Sequence, residues 1–94
     1  MMSAKIRNRA GKYPTYKVAL LATDSKHRAQ MDALAGDNDL LSIPLEGGDT
    51  AVFTLGDAEV ETSEVKNTIL DVAKGIIKFW TKSGTYYCFG IKNA

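Results

Sequence analysis

The chain has 94 residues, with 45% hydrophobic and 24% charged side chains, one Cys, one His and a net charge of +1. That size suits one small domain, and that composition is neither disordered nor collagen-like. No apolar run approaches the roughly 18 residues of a membrane helix, the N-terminus lacks an apolar signal core, and a lone Cys makes no internal disulfide.

Residues 1–12 are polar and basic and show no periodicity, which predicts a flexible arm ahead of a globular segment, 13–94. Pro14 biases Tyr13 toward extended backbone. Thr15–Ala22 then reads as a strand, with Val18, Leu20 and Ala22 on one face. Thr23, Asp24 and Ser25 offer N-cap oxygens for a helix over about 24–35, with His27, Met31 and Leu34 on one face. An Asp24–Arg28 pair at i, i+4 and a left-handed Gly36 after the last turn complete that expectation.

Leu40–Leu45 is a second strand, with Pro44 marking an edge or bulge. Glu46–Asp49 is a turn and Thr50–Leu55 a third strand. Gly56-Asp57 fits a type II′ turn into Ala58–Glu61. Residues 62–74 are ambiguous. Val65, Ile69, Val72 and Ile76 have helical spacing, yet the stretch is rich in β-branched residues. The mixed reading is a helical turn at Thr62–Val65, a strand at Thr68–Val72 and a turn at Ala73–Gly75. Ile76–Thr81 and Thr85–Ile91 form a hairpin around Lys82-Ser83-Gly84. Ile77 and Phe79 face one side of it, as do Tyr87, Phe89 and Ile91. The expected fold is α+β: a small, mostly antiparallel sheet or partly open barrel of five to six strands with one short helix. Such a domain buries only about two thirds of its unfolded surface, so a second copy would be a cheap source of stability.

No catalytic motif emerges. His27 and Cys88 lie 61 positions apart, on a predicted helix and a predicted strand, and match no zinc or Cys–His pattern. Asp37-Asn38-Asp39 resembles the start of a calcium loop, but Leu41 stands at the next ligand position. The glycines form no phosphate cradle. Glu59 and Glu61 share a strand face, without the apolar pocket that would raise one of their pKa values. The reading is therefore a non-enzymatic protein without cofactor or metal, in a reducing, cytoplasmic compartment.

Charge is the informative feature. Residues 1–30 carry seven Lys and Arg against Asp24, a net of +6. Residues 31–64 carry nine carboxylates and no cation, −9. Residues 65–94 carry five Lys against Asp71, +4. Such polarity speaks to partners rather than to fold. The first expectation is a protein-binding face of Asp37, Asp39, Glu46, Asp49, Asp57, Glu59 and Glu61 that engages a basic partner, as an inhibitor or adaptor of phage or mobile-element type would. The second is single-stranded nucleic acid, bound by Lys5, Arg7, Arg9, Lys12, Tyr13, Tyr16 and Lys17 with the strand face of Lys78 and Trp80, to which alternation adds Lys82 and Tyr86. The third is a structural, oligomer-forming role, with a homodimer as its simplest form.

Overall fold

The computed structural model describes residues 4–92. Its elements are α1 (Ala4–Arg9), β1 (Thr15–Thr23), α2 (Arg28–Leu34), β2 (Leu40–Ser42), β3 (Thr50–Leu55), β4 (Ala58–Asp71), β5 (Ile76–Thr81) and β6 (Tyr86–Ile91). Each strand pairs antiparallel with the next, and β6 returns to β1 to close a six-stranded barrel. This is the small antiparallel architecture that strand alternation implies, and short turns enforce it from β3 to β6. At the β3–β4 turn Gly56 has φ +61° while Asp57 stays at negative φ, as a type II′ turn requires.

Closure depends on β1 and β4, each of which changes partner midway. β1 pairs with β2 over Thr15–Lys17 and with β6 over Val18–Thr23. β4 pairs with β3 over Ala58–Glu64 and with β5 over Val65–Asp71. The register slips between Leu20 and Ala22, between Thr50 and Val52, and between Val65 and Asn67. Bulges of this kind add twist and let a strand turn a corner between two sheets.

The interior is filled by alternate side chains. Val18, Leu41, Ala51, Phe53, Leu55, Val65, Ile77, Phe79, Tyr87 and Phe89 form the buried cluster, closed by Met31 of α2. Phe53 meets Tyr87 and Phe89 edge-on at 5.5 and 5.1 Å, and Phe79 stacks on Tyr87 at 5.2 Å. The β5–β6 hairpin therefore supplies four of the core's large side chains, as its sequence alternation predicts.

Several local expectations change. Residues 62–71 are continuous strand, with neither a helix nor a helical turn. The β-branched residues win because the stretch has strand partners on either side of its bulges. The helix predicted over 24–35 begins only at Arg28, with His27 at its N-cap and no side-chain cap. Asp24 is drawn away: its carboxylate accepts the Tyr86 N–H at 2.8 Å. Arg28 pairs instead with Asp32 at 2.9 Å. Met31 is buried, whereas His27 and Leu34 are exposed. Gly36 is not left-handed, and a Cβ there would sit a tight 3.3 Å from the Gly56 Cα. β2 stops at Ser42, where the Ile43 N–H turns to the Pro14 carbonyl at 3.2 Å.

The segment expected to be a flexible arm is also ordered over its described residues. It forms α1, which lies against β2 and β3 with Ile6 fully buried. Ser42 and Val52, directly opposite each other on those strands, are fully buried outside the core cluster. α1 thus covers the outside of the barrel there. Gly11, with φ +88°, ends this first segment. Residues 1–3 of that segment, and residues 93 and 94 at the other end, lie outside the described residues.

Phe53 is the ring that joins the two halves of the core. Phe53→Ala should cost about 3–5 kcal/mol. Urea unfolding should show a lower midpoint at unchanged slope, and a midpoint like that of the wild type would contradict this packing.

Candidate functional site

The acidic residues do not act together. Asp39 is 3% exposed. Its two oxygens accept the N–H of Gly36 at 2.9 Å and of Gly56 at 2.8 Å, which ties the loop after α2 to the β3–β4 turn. A Cβ on Gly56 would lie 2.6 Å from the Leu34 carbonyl, so this junction admits only glycine. Asp39 is a structural fastener and is closed to a partner.

Asp49 and Glu61 are also engaged. Asp49 accepts the Tyr13 hydroxyl and the Thr50 N–H, each at 2.7 Å, and both bonds lower its pKa, the Tyr13 bond more. Glu61 accepts Lys5 Nζ at 2.7 Å and the Thr50 hydroxyl at 2.9 Å, and these lower its pKa in that order. The same Glu61 contact raises the Lys5 pKa. Arg9 donates to the Thr50 hydroxyl at 3.1 Å and to the Thr50 carbonyl, and its guanidinium lies 4.7 Å from the centre of the Tyr13 ring. Lys12 covers that ring at 5.1 Å. Part of the +6 block has folded onto the −9 block. Asp37, Glu46, Asp57 and Glu59 remain exposed, and none makes an ion pair among the described residues.

The basic set also divides. Lys5, Arg9, Lys12 and Tyr13 belong to the clasp just described. Tyr16 packs against the core, while Arg7 and Lys17 are exposed. Lys78 and Trp80 lie on β5, three strands from β2 in either direction round the barrel. The clasp rests on Asp49, Thr50 and Glu61, so the Lys78–Trp80 face of β5 is a separate surface.

That second face is coherent. Trp80 stands opposite Tyr86 on β6, with ring centres 5.0 Å apart and planes at 39°. Asn67 stands opposite Trp80 on β4, and Ile69 opposite Lys78. A groove of about 530 Å³ beside Trp80 is lined by Lys66, Asn67, Thr68, Ile69 and Thr81. Thr68 Oγ1, on the inner side of β4, is buried with no hydrogen-bond partner among the described residues. Loss of water and the neighbouring Cys88 raise the Tyr86 pKa, so its hydroxyl stays neutral at pH 7. The β4 residues of this face escape sequence reading because the segment that holds them carries two competing periodicities. Ile6 escapes because one apolar residue makes no pattern, although Gly11 after it is a helix-stop signal.

His27 contacts Gln30 at 3.0 Å on exposed α2, and Cys88 is buried on β6. No group of three His, Cys, Asp or Glu side chains among the described residues is placed to hold a metal. No helix among them is long and apolar enough to cross a membrane. No known protein family, curated protein or solved structure matches the chain.

Two substitutions test these structural roles. Ile6→Asp places a charge where the side chain is fully buried, and should cost about 2–4 kcal/mol in thermal or urea unfolding. Asp39→Ala leaves two amides without their acceptor and should cost about 2 kcal/mol or more. If Ile6→Asp left stability unchanged, α1 would not be docked.

Proposed function

We propose that this protein is a non-enzymatic binding domain that takes single-stranded nucleic acid on the outer face of β4, β5 and β6. The observation that carries this reading is the outward Trp80–Tyr86 pair, set among Lys66, Lys78 and Lys82. Every base has a π-face, so exposed rings on a sheet accept unpaired bases with little sequence preference. Lysines beside the rings supply the phosphate contacts. The Asn67 amide offers a polar group at the groove for a base edge. The net charge of residues 65–94, +4, favours a polyanion here. Of the carboxylates that would oppose it, Glu61 on β4 is paired with Lys5 and Asp49, just before β3, is bonded by Tyr13.

A second reading rests on the carboxylates that stay free. Asp57 and Glu59 are exposed at the β3–β4 hairpin without an ion pair, and would suit a basic protein surface, as in an inhibitor or adaptor. It draws on four exposed acids in place of seven.

Trp80 is the only tryptophan, so intrinsic fluorescence reports on this face directly. Oligo-dT or oligo-U should quench it at about 50 mM salt, with affinity falling at a log–log slope near about −2 if three lysines each displace a counterion. Trp80→Ala should weaken binding of a labelled oligonucleotide by about 1–3 kcal/mol, roughly five- to 150-fold. An oligonucleotide that neither quenches nor binds at low salt would overturn the proposal. So would undiminished binding by Trp80→Ala.

A further inference from the structure

The second half of β4 has a strand on one side only. Val65–Asp71 pairs with β5, while β3 reaches no further than Glu64. Loop residues extend cover by one position: Gly48 N–H bonds the Val65 carbonyl at 3.1 Å, and Val65 N–H bonds the Asp49 carbonyl at 2.8 Å. Beyond Val65 no further backbone partner outside the β4–β5 ladder reaches this stretch among the described residues. A strand edge of this kind presents a row of unpaired N–H and C=O groups to any chain that can lie alongside.

Natural edges are blunted by charge, proline or a bulge. Here Lys66 and the bulge at Val65–Asn67 guard the start of the edge. From Asn67 to Leu70 there is neither charge nor proline. Ile69 is 52% exposed, and Val72, just past the strand, is 78% exposed. Large apolar side chains beside an open edge point to something that covers them.

The segment is self-complementary in one register. A two-fold axis through Ile69 sets Ile69 against Ile69 of a second copy. It puts each Asn67 amide opposite the Asp71 carboxylate of the other copy, on the same outer face. It also sets Thr68 opposite Leu70. Centring the axis on Thr68 puts Ile69 against Asn67, and centring it on Leu70 puts Ile69 against Asp71. Only the Ile69 register matches apolar with apolar and donor with acceptor.

We infer that a second copy of this chain pairs antiparallel along Lys66–Asp71, with Ile69 on the two-fold axis. The β4–β5–β6 sheet then runs on across the axis, and both Trp80 side chains lie on its outer face. The inference stands on the edge alone and does not require a nucleic-acid ligand.

Sedimentation velocity on the wild type over a concentration series should show a monomer–dimer equilibrium. Ile69→Lys and Ile69→Asp, each on an exposed side chain, should each sediment as a monomer with an unchanged circular-dichroism spectrum. Mixing the two variants should restore a dimer, because opposite charges then face each other across the axis. A wild type that stays monomeric up to about 1 mM would overturn the inference. So would dimers that form in either variant alone, or a mixture that stays monomeric.

Discussion

The structure depends on one topological constraint: a six-stranded meander this short buries a core only if two of its strands serve two sheets. β1 and β4 do this, and each changes partner near its middle. The interior then fits three Phe rings and a Tyr between the two halves. The same change of partner brings Glu61, in the first half of β4, within reach of Lys5 on α1. It carries the second half of β4 onto β5, where it joins Lys78 and Trp80. Charge segregation along the chain thus becomes segregation in space.

That segregation alters what a near-neutral net charge means. The first two blocks meet each other before they meet a partner. Lys5 and Arg9 reach Glu61 and Thr50, and Tyr13 bridges to Asp49. The Lys5–Glu61 pair is exposed and individually modest, while the Arg9 and Tyr13 bonds are part-buried. Burial of Ile6 holds α1 in place, and the charges orient it. The third block has no such counterpart among the described residues: of Lys66, Lys74, Lys78, Lys82 and Lys92, only Lys66 approaches a carboxylate there, Glu64 at 3.8 Å.

Alternation and glycine turns make much of the barrel legible in the sequence. Thr50–Leu55, the Gly56-Asp57 turn and the Ile76–Ile91 hairpin are all visible there, and the residues read as inward mostly are. The segment 62–74 is misleading for a physical reason. Val60, Val65, Thr68 and Leu70 lie opposite or pack against core positions, at intervals of five, three and two residues. Each odd interval spans a register slip, where a strand gains a residue and its faces exchange. The helical spacing of Val65, Ile69, Val72 and Ile76 does not mark a buried face, since Ile69 and Val72 are exposed and only Val65 is fully buried. The clasp is illegible for another reason. Counting charges says how many there are, but their pairing depends on where one isoleucine docks. Asp39 looks in sequence like any loop carboxylate, and only the approach of Gly36 to Gly56 shows that it is a fastener.

The central claim is that the basic N-terminal helix is folded onto the acidic strands. Its most direct test is the titration of the Glu61 carboxyl by NMR in the wild type and in Lys5→Ala. In the wild type, Lys5 and the Thr50 hydroxyl hold the folded pKa below the ordinary 4.5. A carboxyl lowered in this way stabilises the fold above its unfolded pKa, and loses that contribution as pH falls through the folded value. The account predicts a wild-type midpoint below 4.5 that moves upward toward it in Lys5→Ala. A Glu61 that titrates at its ordinary value in both proteins would show that α1 does not rest on the acidic strands, and would contradict the account.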